Sequence, residues 1–214
     1  REGDDDALTL KRLSLFLPDG RRILGDADLR FAAREPVLVV GPSGSGKSTL
    51  FRAIAGIWPY GDGLIETPRG AQAMLLPQKP YIPMGSLREA ATYPANADAF
   101  TTDQIRDALK RCGVGYLAAK LDDEETQWDQ ALSGGERQAI AFARLVLQKP
   151  QVVIMDESTS ALDEERQARL MGLFHEELAQ STLISVGHRP GLEEYHDHKI
   201  TLHREPAGAR MTQK

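Results

Sequence analysis

Leucines at 8 and 10 and again at 13, 15 and 17 alternate with polar positions, slipping phase once between Leu10 and Leu13, which predicts a strand with a bulge. Pro18-Asp-Gly20 is a turn. Arg22 to Leu24 and Ala27 to Phe31 predict two further strands, so roughly the first forty residues read as a small antiparallel lobe. Val37 to Val40 is a short, continuous apolar run of the kind buried on both faces of a sheet. It leads through a glycine-rich stretch into a helix from Ser48 to Ala55 that Gly56 stops.

Short strands are predicted at Leu64 to Glu66 and Gln72 to Leu76, and Pro77 through Pro94 is rich in prolines and turn residues. Ile105, Leu109, Cys112 and Tyr116 then follow helical spacing between Thr101 and Lys120, with Thr101-x-x-Gln104 as a capping box, so a separate helical lobe is expected. A second capping box, Ser133-x-x-Glu136, opens a helix with Ile140, Ala143 and Leu147 on one face. Gln151 to Asp156 reads as a buried strand that ends in acids. Asp163 caps a helix expected to reach Ala179, with Leu170, Leu173, Phe174 and Leu178 inward, and Thr182 to Val186 is another strand. Strands alternating with helices predict an α/β fold around a mostly parallel sheet, with functional residues at the carboxyl ends of its strands.

Composition narrows this further. The 214 residues suffice for one domain with lobes, and 41% hydrophobic with 27% charged residues argues against both disorder and a membrane span. No apolar run approaches the roughly 18 to 20 residues a bilayer requires. The single cysteine, Cys112, excludes an internal disulfide framework and a cysteine-built zinc cage. A formal charge of −5 provides no overall basic footprint for nucleic acid, and none is expected as a partner. The opening Arg1-Glu-Gly-Asp-Asp-Asp has no leader pattern and is expected to be the start of a fragment of a longer polypeptide.

The glycine-rich stretch carries the first chemistry. Gly41, Pro42, Ser43, Gly44, Ser45, Gly46, Lys47 and Ser48 match G-x-x-x-x-G-K-[ST] at every fixed position, and Thr49 follows. Such a loop lets backbone N–H groups wrap a β-phosphate, Lys47 pairs with β/γ oxygens, and the Ser48 hydroxyl reaches Mg²⁺. At the end of the later strand, Asp156 can hold the magnesium shell, and Glu157 beside it can polarise an attacking water. Phosphate loops serve GTPases, kinases and helicases alike, so these residues alone leave the class open.

Leu132-Ser-Gly-Gly-Glu136 resolves it. This segment closely resembles the signature motif of ATP-binding cassette (ABC) proteins, and as in that family it stands one helix upstream of the acidic strand. Ser133 and the N–H groups of Gly134 and Gly135 form a helix mouth suited to phosphate oxygens. The resemblance implies further roles. Gln78 matches the glutamine that contacts magnesium and water and senses the membrane partner. His188 matches the histidine at the γ-phosphate, and Ser160 to Asp163 matches a dimer-contacting segment. The family's adenine-stacking aromatic aligns with Leu17, while Phe16 beside it faces the opposite side if the alternation holds. His175, His196, His198 and His203 have no matching context, and His196-Asp-His198 lacks further ligands for a metal.

Gly56-Ile-Trp-Pro59, Leu75 to Glu89, Tyr93-Pro94, Trp128 and Ser185-Val-Gly-His-Arg189 are most similar to the peroxisomal fatty-acyl half-transporters, subfamily D, and their bacterial relatives. The resemblance implies an ABC ATPase domain over 8–203 with a helical lobe inserted at about 86–135. Residues 1–7 would be a linker from a membrane domain on the same polypeptide, and 204–214 a tail. It also implies a homodimer on ATP binding, at the cytoplasmic face of a membrane such as the bacterial inner membrane. Tyr81, Ile82 and Met84 are expected to be displayed together where the membrane domain docks. The rival functions are a soluble ABC ATPase acting on ribosomes or DNA, and a cassette that only binds nucleotide. The ribosomal type usually carries two cassettes on one chain, and the DNA-repair type carries a long coiled-coil insertion. Neither feature is present.

Overall fold

The computed structural model describes residues 3, 6–125, 127–187, 191–203 and 208–213. The chain folds as two compact units, one made of Arg1–Leu75, Pro150–Glu157 and Gln180–Lys214, the other of Leu76–Lys149 and Ser158–Ala179.

The first unit begins with strand β1 (Leu8–Phe16), and its bulge lies where the leucines change phase. Arg12 takes a left-handed φ of 48° there, and its N–H donates to Asp28 Oδ1 at 2.9 Å. The two strands expected between Arg22 and Phe31 are one, β2 (Arg22–Phe31), antiparallel to β1. Asp26, at φ 43°, makes the break in pattern without ending the strand, because its N–H is satisfied by Ser14 Oγ at 3.1 Å. The third strand of this sheet is β4 (Gly61–Glu66), which lies on the other side of β1.

Strand β3 (Val37–Val40) is in a six-stranded sheet of order β11-β10-β3-β9-β8-β5, where β5 is Ala73–Leu76, β8 Val152–Asp156, β9 Thr182–Val186, β10 His198–His203 and β11 Arg210–Gln213. β10, β3, β9 and β8 run parallel to one another, and β11 returns antiparallel to β10. Every residue of β9 and the first four of β8 are buried, which is why these strands read as unbroken apolar runs. Helix α1 (Lys47–Ile54) adds the fully buried Leu50 and Phe51 to a core shared with Leu10, Phe31, Ile154 and Ile184. Burying each such side chain contributes about 1.5–3 kcal/mol.

The second unit is mainly helical: α2 (Leu87–Thr92), α3 (Thr102–Arg111), α4 (Trp128–Ala131), α5 (Gly134–Gln148) and α6 (Glu164–Gly172), with the two-residue strands β6 (Gly85–Ser86) and β7 (Glu124–Glu125). Both capping boxes read from the sequence are formed, at Thr101/Gln104 and Ser133/Glu136. Helix α3 is shorter than its spacing suggested, because Gly113 turns the chain at φ 77°. Tyr116 therefore lies on a separate 3₁₀ turn (Gly115–Lys120) and is exposed, while Cys112 stays buried. Asp163 caps α6 through its bond from the Arg166 N–H, but the helix passes into a 3₁₀ turn (Leu173–His175) after Gly172 instead of reaching Ala179. Among the described residues no helix is long and apolar enough to cross a membrane.

Candidate nucleotide site

The loop between β3 and α1 is shaped by three glycines at positive φ, two of them tightly enclosed. Gly41 lies at φ 154°, where a Cβ would come within 2.6 Å of the Leu202 carbonyl oxygen. Gly46 lies at φ 92°, where a Cβ would be 2.4 Å from Ile23 Cγ2. Gly44, at φ 74°, meets nothing within 4 Å, so the turn there faces open space. Gly46 is also the N-cap of α1 and supplies no side-chain acceptor to the helix, whose first N–H groups are left for another partner.

The polar groups of the loop are equally poised. Lys47 is buried, and its ammonium donates to the Gly41 and Pro42 carbonyls at 2.7 and 2.9 Å, curling back over the loop it belongs to. Burial pulls its pKa below the ordinary value, opposed by the nearby charges of Glu157 and then Asp156. Ser45 is buried, and its Oγ has no hydrogen-bond partner among the described residues. An uncapped helix start, a desolvated cation and an orphaned hydroxyl together fit a phosphate chain.

β8 delivers the acids. Asp156 is its last residue, and Glu157 follows with a left-handed φ of 50°, held by its N–H donating to the Val186 carbonyl at 2.9 Å. For a residue with a Cβ this conformation costs about 1–2 kcal/mol, a strain typical of functional sites. Glu157 and Val186 line one cleft of about 340 Å³ together with Ser43, Gly44, Gly46, Lys47, Ser48, Thr49, Leu17, Arg21 and Ile23.

Leu17 is therefore in the cleft and Phe16 is not among its lining residues. The Phe16 carbonyl instead accepts from Trp58 Nε1 at 3.0 Å. Arg21 and Ile23 were not anticipated. The turn at Pro18-Asp-Gly20 brings Arg21 back beside Leu17, whose N–H donates to the Arg21 carbonyl at 2.8 Å, and strand alternation places Ile23 on the same face as Arg21.

Gln78 and the Leu132–Glu136 segment belong to the helical unit. Ser133 is the N-cap of α5: its Oγ accepts from the Glu136 N–H at 3.2 Å, and Glu136 Oε2 accepts from the Ser133 N–H at 2.7 Å. Gly134 and Gly135 are the first residues of α5, and neither has a positive φ. A Cβ on Gly134 would sit 3.3 Å from Ala161 Cβ, and one on Gly135 would meet chiefly the end of the Arg166 side chain at 2.9 Å. The backbone conformation does not require glycine at either position.

Three residues of this unit support its motifs through contacts the sequence did not indicate, and one of them, Gln138, carried no signal at all. Gln138 is buried, donates to the Gln78 carbonyl at 3.4 Å and accepts from the Ala161 N–H at 3.3 Å, joining the expected glutamine loop to the Ser160–Asp163 segment. The Tyr116 hydroxyl donates to Glu136 Oε1 at 2.8 Å, and Trp128 Nε1 donates to the Gly85 carbonyl at 3.0 Å. One expectation is corrected: Tyr81 and Met84 are exposed, but Ile82 is buried, so the displayed apolar surface is Tyr81, Met84 and the Tyr93 ring that meets Tyr81 edge-on at 5.4 Å. His188 lies outside the described residues.

Comparison with known proteins gives concordant matches. Residues 24–160 match the family described as ABC transporter. An uncharacterized ABC transporter ATP-binding protein of Haemophilus influenzae is 41% identical over 90% of this chain and 32% of its own length. ABC transporter D family member 2 of Dictyostelium discoideum is 33% identical over 92% of this chain and 27% of its own. The chain thus spans about a third of the length of these relatives. In fold it is similar to a bacterial Atm1-family ABC exporter solved with ATP bound, with a TM-score of 0.82 and 24% identity, covering 94% of this chain and 37% of the exporter's.

Proposed function

The chain belongs to the ABC transporter family, and from that premise we propose that two copies enclose ATP·Mg²⁺ and hydrolyse it to drive a substrate through a membrane domain. The observation that carries this reading is the pair Gly134 and Gly135. Glycine is a poor helix former, costing about 1 kcal/mol relative to alanine in a helix interior, yet here it opens α5 without a positive φ to justify it. Without side chains of their own, the two residues leave the N–H groups at the mouth of α5 unshielded, which suits phosphate oxygens presented by a second copy's loop. The Ser133 hydroxyl accepts from the Glu136 N–H, so the cap holds the start of α5 in place for that contact.

Within each copy, the N–H groups of Gly44 to Thr49 and the Lys47 ammonium would bind the phosphates, and Leu17, Arg21 and Ile23 would contact the base and sugar. Ser48, Asp156 and Gln78 would hold Mg²⁺, which keeps most of its water and takes few protein ligands; when bound, it neutralises charge developing on the phosphoryl oxygens. Glu157 would accept a proton from the attacking water as its oxygen bonds the γ-phosphorus and the bond to the β–γ bridging oxygen breaks, releasing ADP and phosphate. Lys47 and His188 would stabilise the transferring group.

Residues 8–203 would form the working cassette, with 1–7 leading from a membrane domain and 204–214 a tail. Tyr81, Met84 and Tyr93 would meet that domain at the cytoplasmic face of the membrane. The D-family relatives favour this over a ribosome- or DNA-directed ATPase. Glu157→Gln tests the chemistry: ATP binding should persist while hydrolysis falls by at least about a hundredfold. Turnover at the original rate would remove Glu157 from the mechanism.

A further inference from the structure

His196 carried no functional signal in the sequence, yet it is built into the end of β9. It is mostly buried; its Nδ1 lies 2.8 Å from the Leu192 carbonyl and its Nε2 2.8 Å from Ser185 Oγ. A carbonyl can only accept, so Nδ1 carries the proton and the neutral ring's Nε2 accepts from the Ser185 hydroxyl. Burial pulls the pKa of His196 down, which favours that neutral form. Ser185 is fully buried and is paired on both sides, with Leu38 of β3 and Met155 of β8. Leu192 adds a steric closure, because a Cβ at Gly187 would lie 2.3 Å from Leu192 Cδ2.

One residue beyond Ser185 is Val186, which lines the same cleft and whose carbonyl receives the Glu157 N–H. Glu157 is strained at φ 50°, and a backbone bond from its N–H joins it to the end of β9. Whatever fixes the end of β9 therefore fixes the carboxylate's approach to the cleft.

We propose that His196 is a positioning residue for phosphoryl transfer: through Ser185 it anchors the end of β9, and through the Val186 carbonyl that end holds Glu157 in its left-handed conformation. This rests on Glu157 being the carboxylate that activates water. Small misplacements of such a group are costly in the chemical step while leaving the phosphate-binding groups where they are.

Replacement by the two amides separates the arms of the imidazole. Gln reaches the Nε2 position and can still accept from Ser185, whereas Asn reaches only the Nδ1 position and keeps the Leu192 bond. Turnover, KM for ATP and the melting midpoint are measured on the full chain for Ser185→Ala, His196→Asn, His196→Gln and Glu157→Gln. Ser185→Ala and His196→Asn should each lower kcat about tenfold with KM unchanged within about twofold, and His196→Gln should retain at least about half of kcat. Combining Ser185→Ala with His196→Asn should cost no more than either alone. Unchanged kcat in Ser185→Ala, an equal loss in both amide variants, or a parallel collapse of KM and melting midpoint overturns the proposal. Glu157→Gln distinguishes the levels: if it too turns over normally, the carboxylate's role has failed, and if it alone is inactive, only the His196 route has.

Discussion

Two helices of this chain begin with glycine-rich loops, and they begin in opposite ways. Helix α1 starts at Gly46 without a side-chain cap, over a buried lysine bonded to its own loop's carbonyls and a buried Ser45 hydroxyl with no partner among the described residues. Helix α5 starts at Ser133 with a complete capping box, reinforced by Tyr116 on Glu136. The first loop is incomplete without an anion, and its glycines are demanded by its own backbone and neighbours. The second is satisfied by itself, and its glycines are demanded by nothing in its own backbone. The contrast is what the proposed function requires: a first loop suited to a ligand held within the chain, and a second suited to something brought from outside.

The largest expected effect falls on the first loop. Lys47→Ala should lower ATP affinity and turnover at least about a hundredfold, measured by nucleotide titration and phosphate release, because a desolvated charge-assisted contact is lost. Next, Gly46→Ala should destabilise the chain by about 2 kcal/mol or more in denaturant, from the left-handed φ and the clash with Ile23. Gly135→Ala should keep or slightly raise stability while turnover falls about tenfold, since the added methyl crowds chiefly a flexible arginine end but blocks the helix mouth. If Gly46→Ala and Gly135→Ala lose stability alike, the distinction between the loops is gone.

The smallest effect tests the cap itself. Glu136→Ala should cost about 1 kcal/mol at neutral pH. Partial burial works against the Glu136 carboxylate, but bonds from the Ser133 side chain and backbone and then from Tyr116 outweigh it and depress its pKa. A depressed carboxylate adds stability that is complete above its unfolded pKa and is lost as pH falls through its folded value. The difference in melting midpoint between the original chain and Glu136→Ala should therefore shrink below about pH 4.

Much of the site was legible because its residues are contiguous and chemically restricted. Gly41 to Ser48, Asp156-Glu157 and Ser133 to Glu136 each combine a local backbone requirement with a local pattern, and both predicted capping boxes are present. What escaped depends on partners distant in sequence. The left-handed turn at Glu157 is set by a carbonyl on β9, Gln138 matters through Gln78 and Ala161, and His196 matters through Ser185. Strand alternation also misplaced boundaries where side chains rescue the ladder, as Ser14 does for Asp26, which joined two expected strands into one. Ile82 looked like a neighbour of exposed Tyr81 and Met84, but sequence adjacency does not determine which side chain the core takes.

If, as proposed, the phosphate loop of one copy is completed by the Leu132–Glu136 segment of another, sedimentation of the Glu157→Gln chain will show the assembly. With ATP and magnesium the chain should form a dimer that is absent without nucleotide and is lost again when Ser133→Arg is added, since that change fills the mouth of α5. A Glu157→Gln chain that stays monomeric at saturating ATP, or that dimerises equally well with Ser133→Arg, would contradict it.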